Sequence, residues 1–152
     1  MWGTYWYRSG INLSMKRELG DIAEEIQRRV RLQEGDVWLD IACNDGTLLS
    51  KLPTYLDRIG IDPCEDSFVA ESSKHGKIVQ SYFTKDAYDS ATSKKAKVIT
   101  CIAMFYDLER PVEFVSDVAS VLAPDGYFHF EMSYAPWMIR SGAFDTICHE
   151  HI

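Results

Sequence analysis

The apolar positions near the start of the chain recur every three or four residues, which predicts one face of an amphipathic helix. Asn12 or Ser14 can cap the start of this helix, and Gly35-Asp36 follows its end. Beyond the helix, the pattern changes to short continuous apolar runs, which are typical of buried strands. The apolar helix positions are Ile11, Met15, Leu19, Ile22, Ala23, Ile26 and Val30.

Five such runs predict the strands of one buried sheet, and most of the segments between them have helical patterns. Strands that alternate with helices imply right-handed crossovers, so the predicted fold class is α/β. We expect a Rossmann-like, doubly wound, mostly parallel sheet with helices on both faces. The strands are expected at 36–41, 58–62, 77–80, 97–105 and 127–132. Helices are expected at 47–52, 63–73 and 111–122, a turn at 123–126, and no clear element at 81–96.

Composition and charge narrow the class of function. The 152 residues are 46% apolar, enough for one domain with a core, and their formal net charge is −7. Nucleic-acid surfaces need clustered Lys and Arg, so we expect no nucleic-acid partner. The sequence has no apolar run of membrane-spanning length, and its N-terminus lacks the apolar core of a signal peptide. We therefore expect no membrane partner and a cytoplasmic protein.

The four cysteines are scattered, and no two of them form a C-x-x-C pair. Three lie in or beside apolar strand-like segments, which favours buried free thiols in a reducing compartment over disulfides or a zinc site. We therefore predict no metal site. The cysteines are Cys43, Cys64, Cys101 and Cys148.

The loop after the first predicted strand carries the candidate chemistry. Asp40 ends the strand, small residues follow at every second position, and an apolar helix start comes next. A buried strand, a tight turn and a helix together direct backbone N–H groups toward a ligand. The alternative is an ordinary strand–loop–helix corner, because Asn-Asp and Asp-Gly pairs mark turns in many proteins.

Asp62 ends the second predicted strand, sixteen residues after Gly46. Ligands of parallel sheets lie at the carboxyl ends of the strands, where the strand order reverses, so the two acids converge on one cleft. There, Asp40 can accept a hydrogen bond from an ammonium group, and Asp62 can accept both hydroxyls of a ribose. Asp62 can alternatively cap a helix that begins at Pro63.

The spacing Asp40-x-Ala42-x-Asn44-x-Gly46 resembles the first motif of class I S-adenosylmethionine-dependent methyltransferases, and it is not the dinucleotide fingerprint G-x-G-x-x-G. Residues 122–127 are similar to the turn before the fifth strand of many of these enzymes. The resemblance implies S-adenosylmethionine as cofactor, with an adenine contact near Ser81 or Tyr82. After the fourth strand, Met104 and Phe105 either wall the site or pack in the core. The candidate cofactor-binding residues are Asp40, Ala42, Asn44, Gly46, Asp62, Pro63, Ser81, Met104 and Phe105.

The two ends of the chain resemble a narrower family. Residues 144–152 are similar to the active-site segment of sugar C-methyltransferases that act on nucleotide-linked deoxysugars, and residues 7–12 are similar to the lead-in of that family's methyltransferase domain. The resemblance implies methyl transfer to a carbon next to a keto group, which needs a base with a pKa near the working pH. The implied base is His151, and His149 and Glu150 would orient it or contact the substrate.

The same resemblance implies a small-molecule acceptor, a nucleotide-linked keto sugar, contacted by Tyr7 and Tyr134. Other interpretations stay open. The His-Glu-His segment can bind a metal or form a surface loop. The chain can be an O- or N-methyltransferase of another small metabolite, or a non-catalytic remnant that acts through a partner.

The domain expected from the resemblance has seven strands, whereas five are predicted here, so we expect one domain that is incomplete at its C-terminus. Residues 1–35 would form a helical lead-in, 36–134 the Rossmann-like core, and 135–152 the start of the substrate segment. An exposed sheet edge would then favour a homodimer or association with a missing domain.

Overall fold

A computed structural model describes residues 7–142 of the chain. In this part, the strands form one parallel sheet of order β3-β2-β1-β4-β5. The chain order reverses between β1 and β4, which confirms the predicted α/β, Rossmann-like, doubly wound fold. The strands are β1 (Val37–Ile41), β2 (Asp57–Ile61), β3 (Lys77–Val79), β4 (Ala96–Ile102) and β5 (Leu122–Glu131). The helices are α1 (Leu13–Arg29), α2 (Asp66–Ser72), α3 (Lys85–Ala91), α4 (Pro111–Val121) and α5 (Ala135–Ser141).

Helices cover both faces of the sheet at its centre. Alternate residues of each strand point to opposite sides, so both faces of a central apolar strand have to be covered. On β1, Leu39 and Ile41 pack in one apolar layer with Phe114 of α4. Trp38 points to the other face and packs with α1, where Ile26 lies in the same layer. Every residue of β1 is buried, as expected of a central strand in a parallel sheet.

The start of α1 is as predicted, but two later helices differ from prediction. The Asn12 side chain accepts the Ser14 N–H at 2.8 Å and caps α1. The segment 47–52 forms only a short 3-10 helix, Leu49–Lys51, ahead of Pro53. The helix expected from Pro63 begins at Asp66 instead, since residues 62–65 form the loop that leaves β2.

Two further corrections concern the second half of the chain. The unpatterned segment contains α3, whose start is capped by the Thr84 hydroxyl accepting the Ala87 N–H at 3.1 Å. The turn expected at 123–126 lies within the long β5, where the register with β4 shifts between Leu122 and Tyr127. The local sequence pattern did not predict α3, because the helix is short and presents only a narrow buried face.

The structure also bears on the thiol and membrane predictions. Cys43, Cys64 and Cys101 are buried and free, as predicted, and Cys148 lies outside the described residues. None of the helices within residues 7–142 is long and apolar enough to cross a membrane.

Candidate functional site

A cavity of about 750 Å³ lies at the carboxyl end of the sheet, beside the point where the strand order reverses. The loops after β1, β2 and β4 form its walls, together with residues 82–84 and the start of α4. Ligands of doubly wound folds bind at this position. The candidate cofactor residues that line it are Asp40, Ala42, Asn44, Asp62, Pro63 and Met104.

The loop after β1 owes its shape to three left-handed residues. The φ angles are +59° at Ala42, +51° at Asn44 and +76° at Gly46. These are the small residues of the sequence motif. The motif places them at every second position, and these are the positions at which the backbone is left-handed. Ala42 carries a β-carbon in a conformation that favours glycine, and such strain is typical of functional loops.

Three candidate cofactor residues do not line the cavity. Gly46 faces α2, where an added β-carbon would lie 2.7 Å from the Ser72 Cα. It therefore allows the loop to pack against α2. The Ser81 hydroxyl donates a hydrogen bond to the Tyr82 carbonyl at 3.0 Å. Tyr82, and not Ser81, lines the cavity. Phe105 belongs to the aromatic core, with its ring centroid 5.9 Å from that of Phe114.

Asp40 is a buried acid at the end of β1, with 4% of its surface exposed. Burial raises the pKa of its carboxyl to about 7, and the charge of Asp62 acts in the same direction. The Thr100 hydroxyl donates to Asp40 Oδ1 at 2.7 Å and partly opposes this rise in pKa. Near neutral pH, Asp40 is therefore only partly ionised, and a cation beside it would complete the ionisation.

Asp62 holds the loop after β1 and the loop after β2 together. Its Oδ2 accepts the Asn44 N–H at 2.8 Å, and its Oδ1 accepts the Cys64 N–H at 2.8 Å. Each oxygen has a second lone pair, so Asp62 can still accept bonds from the cavity side. The N-cap of α2 is Glu65, so the interpretation of Asp62 as a helix cap is wrong.

The residues before α1 form a wall of the cavity, in which only Tyr7 was predicted as a contact residue. The Asn44 side chain accepts the Ser9 N–H at 3.1 Å and donates to the Tyr7 carbonyl at 2.9 Å. Asp45 Oδ2 accepts the Gly10 N–H at 2.8 Å. Tyr7 and Ser9 line the cavity, so Asn44 and Asp45 act by holding this segment over it.

The far rim of the cavity is acidic, which sequence analysis also missed because these acids precede α4 or lie on it. Glu109, Glu113 and Asp117 line this rim, and Arg110 is paired with Glu113 at 3.2 Å. Carboxylates therefore outnumber cations among the described lining residues. Such a rim favours neutral or cationic groups over phosphates.

The candidate substrate and catalytic residues are placed less completely. Tyr7 lines the cavity, whereas Tyr134 is 65% exposed, precedes α5 and lies outside the lining. His149, Glu150 and His151 lie outside the described residues. Within residues 7–142, no group of His, Cys, Asp and Glu side chains is arranged to hold a metal ion.

A family model described as a methyltransferase domain matches residues 14–152, which is most of the chain. The chain is also 26% identical, over 149 residues, to the C-methyltransferase NovU of Streptomyces niveus. That alignment covers 94% of this chain and 34% of NovU. The chain therefore spans about a third of the length of this curated relative.

Solved methyltransferase structures share the fold. The plantazolicin methyltransferase BpumL, in complex with a pentazolic desmethylPZN analog and SAH, has a TM-score of 0.63 at 19% identity, with 82% of this chain and 49% of BpumL covered. An S-adenosylmethionine-dependent methyltransferase from Clostridium acetobutylicum has a TM-score of 0.64 at 16% identity, with 83% and 54% covered. The chain thus spans about half the length of each structure.

Proposed function

The chain belongs to the family of methyltransferase domains, and on that premise we propose that its cavity binds S-adenosylmethionine for methyl transfer to a small acceptor. The observation that carries the proposal is the placement of two buried acids, Asp40 and Asp62, at the ends of neighbouring strands in one cavity wall. Buried carboxylates are costly unless they have partners. A ligand with an ammonium group and two vicinal hydroxyls offers partners to both.

The cavity residues fit this cofactor. Asp40 would pair with the ammonium group, and Asp62 would accept the ribose hydroxyls through its remaining lone pairs. The loop at Ala42 and Asn44 brings backbone to the cavity wall, so it would contact the methionine and ribose portions. When bound, S-adenosylmethionine supplies an electrophilic methyl group, and the protein supplies position and exclusion of water.

We propose carbon as the methylated atom. The similarity to the C-methyltransferase NovU and the resemblance of residues 144–152 to a sugar C-methyltransferase active site support this choice. The imidazole of His151 would accept the proton from the carbon next to a keto group, and His149 and Glu150 would orient the imidazole or contact the substrate. The resulting enolate carbon would supply the electron pair for the new bond to the methyl group, while the bond between that methyl group and the cofactor's sulfur would break and leave its electron pair on the sulfur.

Tyr7 and Tyr134 would contact this acceptor, for which we propose a nucleotide-linked keto sugar. The acidic rim bears on how it could bind, because carboxylates at Glu109, Glu113 and Asp117 would repel its phosphates. The nucleotide portion would therefore lie away from this rim. The same rim favours a second candidate, an amine acceptor methylated on nitrogen, and a turnover assay with each acceptor class separates the two.

We expect the affinity for S-adenosylmethionine to rise with pH up to about 7. Burial raises the pKa of Asp40 to about 7, and only the ionised carboxylate pairs with an ammonium group, so affinity increases as Asp40 loses its proton. The α-amino group of the ligand becomes neutral near pH 8, which weakens the same pair at higher pH. The affinity should therefore have a maximum between about pH 7 and 8.

Calorimetric titrations between pH 5.5 and 9, each repeated in buffers of different ionisation enthalpy, measure this profile and the proton released on binding. The Asp40→Asn variant should bind more weakly, and its affinity should no longer increase between pH 5.5 and 7. If the affinity of Asp40→Asn still increased between pH 5.5 and 7 as it does in the unmodified chain, the assignment of this increase to Asp40 would be wrong.

A further inference from the structure

The buried polar residue Thr100 lies beside Asp40 in the sheet, on the neighbouring strand. The register pairs Asp40 of β1 with Thr100 of β4, so the two side chains are neighbours on the same face. Thr100 is the polar residue within the apolar run 98–102 of β4, and none of its surface is exposed. A hydroxyl at such a position needs a partner, and the carboxyl of Asp40 provides it.

The hydrogen bonds at Thr100 run in one direction. Trp38 Nε1–H donates to Thr100 Oγ1 at 3.2 Å. The Thr100 hydroxyl then donates to Asp40 Oδ1 at 2.7 Å, in preference to the Leu39 carbonyl oxygen at 3.3 Å. An indole N–H is a donor only, so Trp38 fixes the hydroxyl oxygen as an acceptor and directs its proton toward Asp40. Trp38, Thr100 and Asp40 therefore form a buried relay that ends at the cavity.

We propose that Thr100, held by Trp38, is a positioning residue that directs the Asp40 carboxylate toward the ligand's ammonium group and stabilises its charged form. This inference rests on the proposed cofactor site. A donor to a carboxylate stabilises its charged form, and chains of hydrogen bonds strengthen one another in a low-dielectric interior. Removal of the hydroxyl would therefore leave Asp40 protonated over a wider pH range.

Other titratable groups near Asp40 cannot supply this stabilisation. His129 of β5 is the register partner of Thr100, and burial lowers the pKa of its imidazole and so disfavours its positive charge. The charge of Asp62, at the end of β2, raises the pKa of Asp40, and the charge of Asp40 in turn raises the pKa of the Cys43 and Cys101 thiols. Asp62 is an acid, and burial raises the pKa of both thiols, so none of the three offers a positive charge. The Thr100 hydroxyl is thus the described group that lowers the pKa of Asp40.

Thr100→Val tests the proposal because it keeps the branched shape and removes the hydroxyl, whereas Thr100→Ser keeps the hydroxyl. The protonation midpoint of Asp40 is measured by infrared titration of the ligand-free 152-residue chain, and its carboxyl band is assigned by difference from Asp40→Asn. We expect Thr100→Val to move the midpoint upward by roughly one to two pH units. Thr100→Ser should leave it near that of the unmodified protein.

The dissociation constant of S-adenosylmethionine at pH 7 provides the second readout. Thr100→Val should weaken binding by about tenfold or more, and Thr100→Ser should restore it. Ile99→Val is the packing control, since it removes a buried methyl group on the opposite face of β4. It should move neither the midpoint nor the affinity.

Trp38→Phe keeps the test decisive if Thr100→Val does not fold, because it removes the donor behind Thr100. Trp38→Phe should also raise the protonation midpoint of Asp40, by a smaller amount than Thr100→Val does. A folded Thr100→Val or Trp38→Phe with an unchanged midpoint would overturn the proposal. Lack of S-adenosylmethionine binding by the unmodified chain would instead overturn the proposed function, and the ligand-free midpoints would still decide the role of Thr100.

Discussion

Replacement of His151 by alanine should abolish methyl transfer and leave the affinity for S-adenosylmethionine nearly unchanged. The assigned role of His151 is to remove the proton from the acceptor carbon, a step to which a positioned base contributes about 10²–10⁴-fold. In the proposed site, Asp40 and Asp62 would hold the cofactor, and they lie at the ends of β1 and β2 and not in the His-Glu-His segment. The two effects therefore separate cleanly in turnover and binding assays.

Deuterium exchange sharpens this test because it follows the proton and not the methyl group. In D₂O, the unmodified chain should exchange the proton next to the keto group of a nucleotide-linked keto sugar, and His151→Ala should not. His75→Ala is a suitable control, since His75 lies in the turn before β3, at the amino ends of the strands. Unchanged exchange in His151→Ala, or a loss of cofactor affinity that matches the loss of turnover, would count against the assigned base.

Asp62→Asn should weaken S-adenosylmethionine binding on the order of 100-fold. Charge-assisted hydrogen bonds contribute about 1.5–3 kcal/mol each, and the proposed contact with the ribose hydroxyls contains two of them. The variant also loses one acceptor for the backbone N–H groups of Asn44 and Cys64, which should lower the free energy of unfolding by about 1–3 kcal/mol. Calorimetry and thermal unfolding measure the two effects separately.

Asp57→Asn is the matched control because Asp57 begins β2, the strand that Asp62 directly follows. Its carboxylate forms an exposed ion pair with Lys94 at 2.7 Å, far from the cavity end of β2. Such pairs contribute about 0–1 kcal/mol, so the control should change unfolding little and cofactor affinity not at all. Equal affinities for Asp62→Asn and the unmodified chain would remove Asp62 from the site.

The centre of the sheet could be predicted from the sequence because β1 and most of β4 are buried on both faces and therefore appear as apolar runs. The same reasoning located Asp40 and Asp62, since acids at the ends of such runs fall at one edge of a parallel sheet. Helices that depend on local caps were harder. The helix α3 is short and its cap at Thr84 is one polar residue among many in that segment.

Tyr7 was predicted as a contact residue from the family resemblance, but the way Asn44 and Asp45 hold residues 7–10 could not be predicted, because it depends on side chain–backbone hydrogen bonds between groups far apart in sequence. Asn44 and Ser9, for example, are separated by 35 positions. The Asp40–Thr100 contact likewise depends on the register between β1 and β4, which no local pattern determines. The exclusion of Gly46 from the cavity depends on the approach of α2. The proposed homodimer, or association with a further domain, stays a prediction.

Calorimetric titration of the 152-residue chain with S-adenosylmethionine near pH 7.5, beside Asp62→Asn, tests the central claim most directly. We predict saturable one-site binding with a dissociation constant below about 1 mM for the unmodified chain, and a loss of that signal in Asp62→Asn. The absence of heat from the folded, unmodified chain at millimolar ligand would contradict the assignment of this cavity to the cofactor.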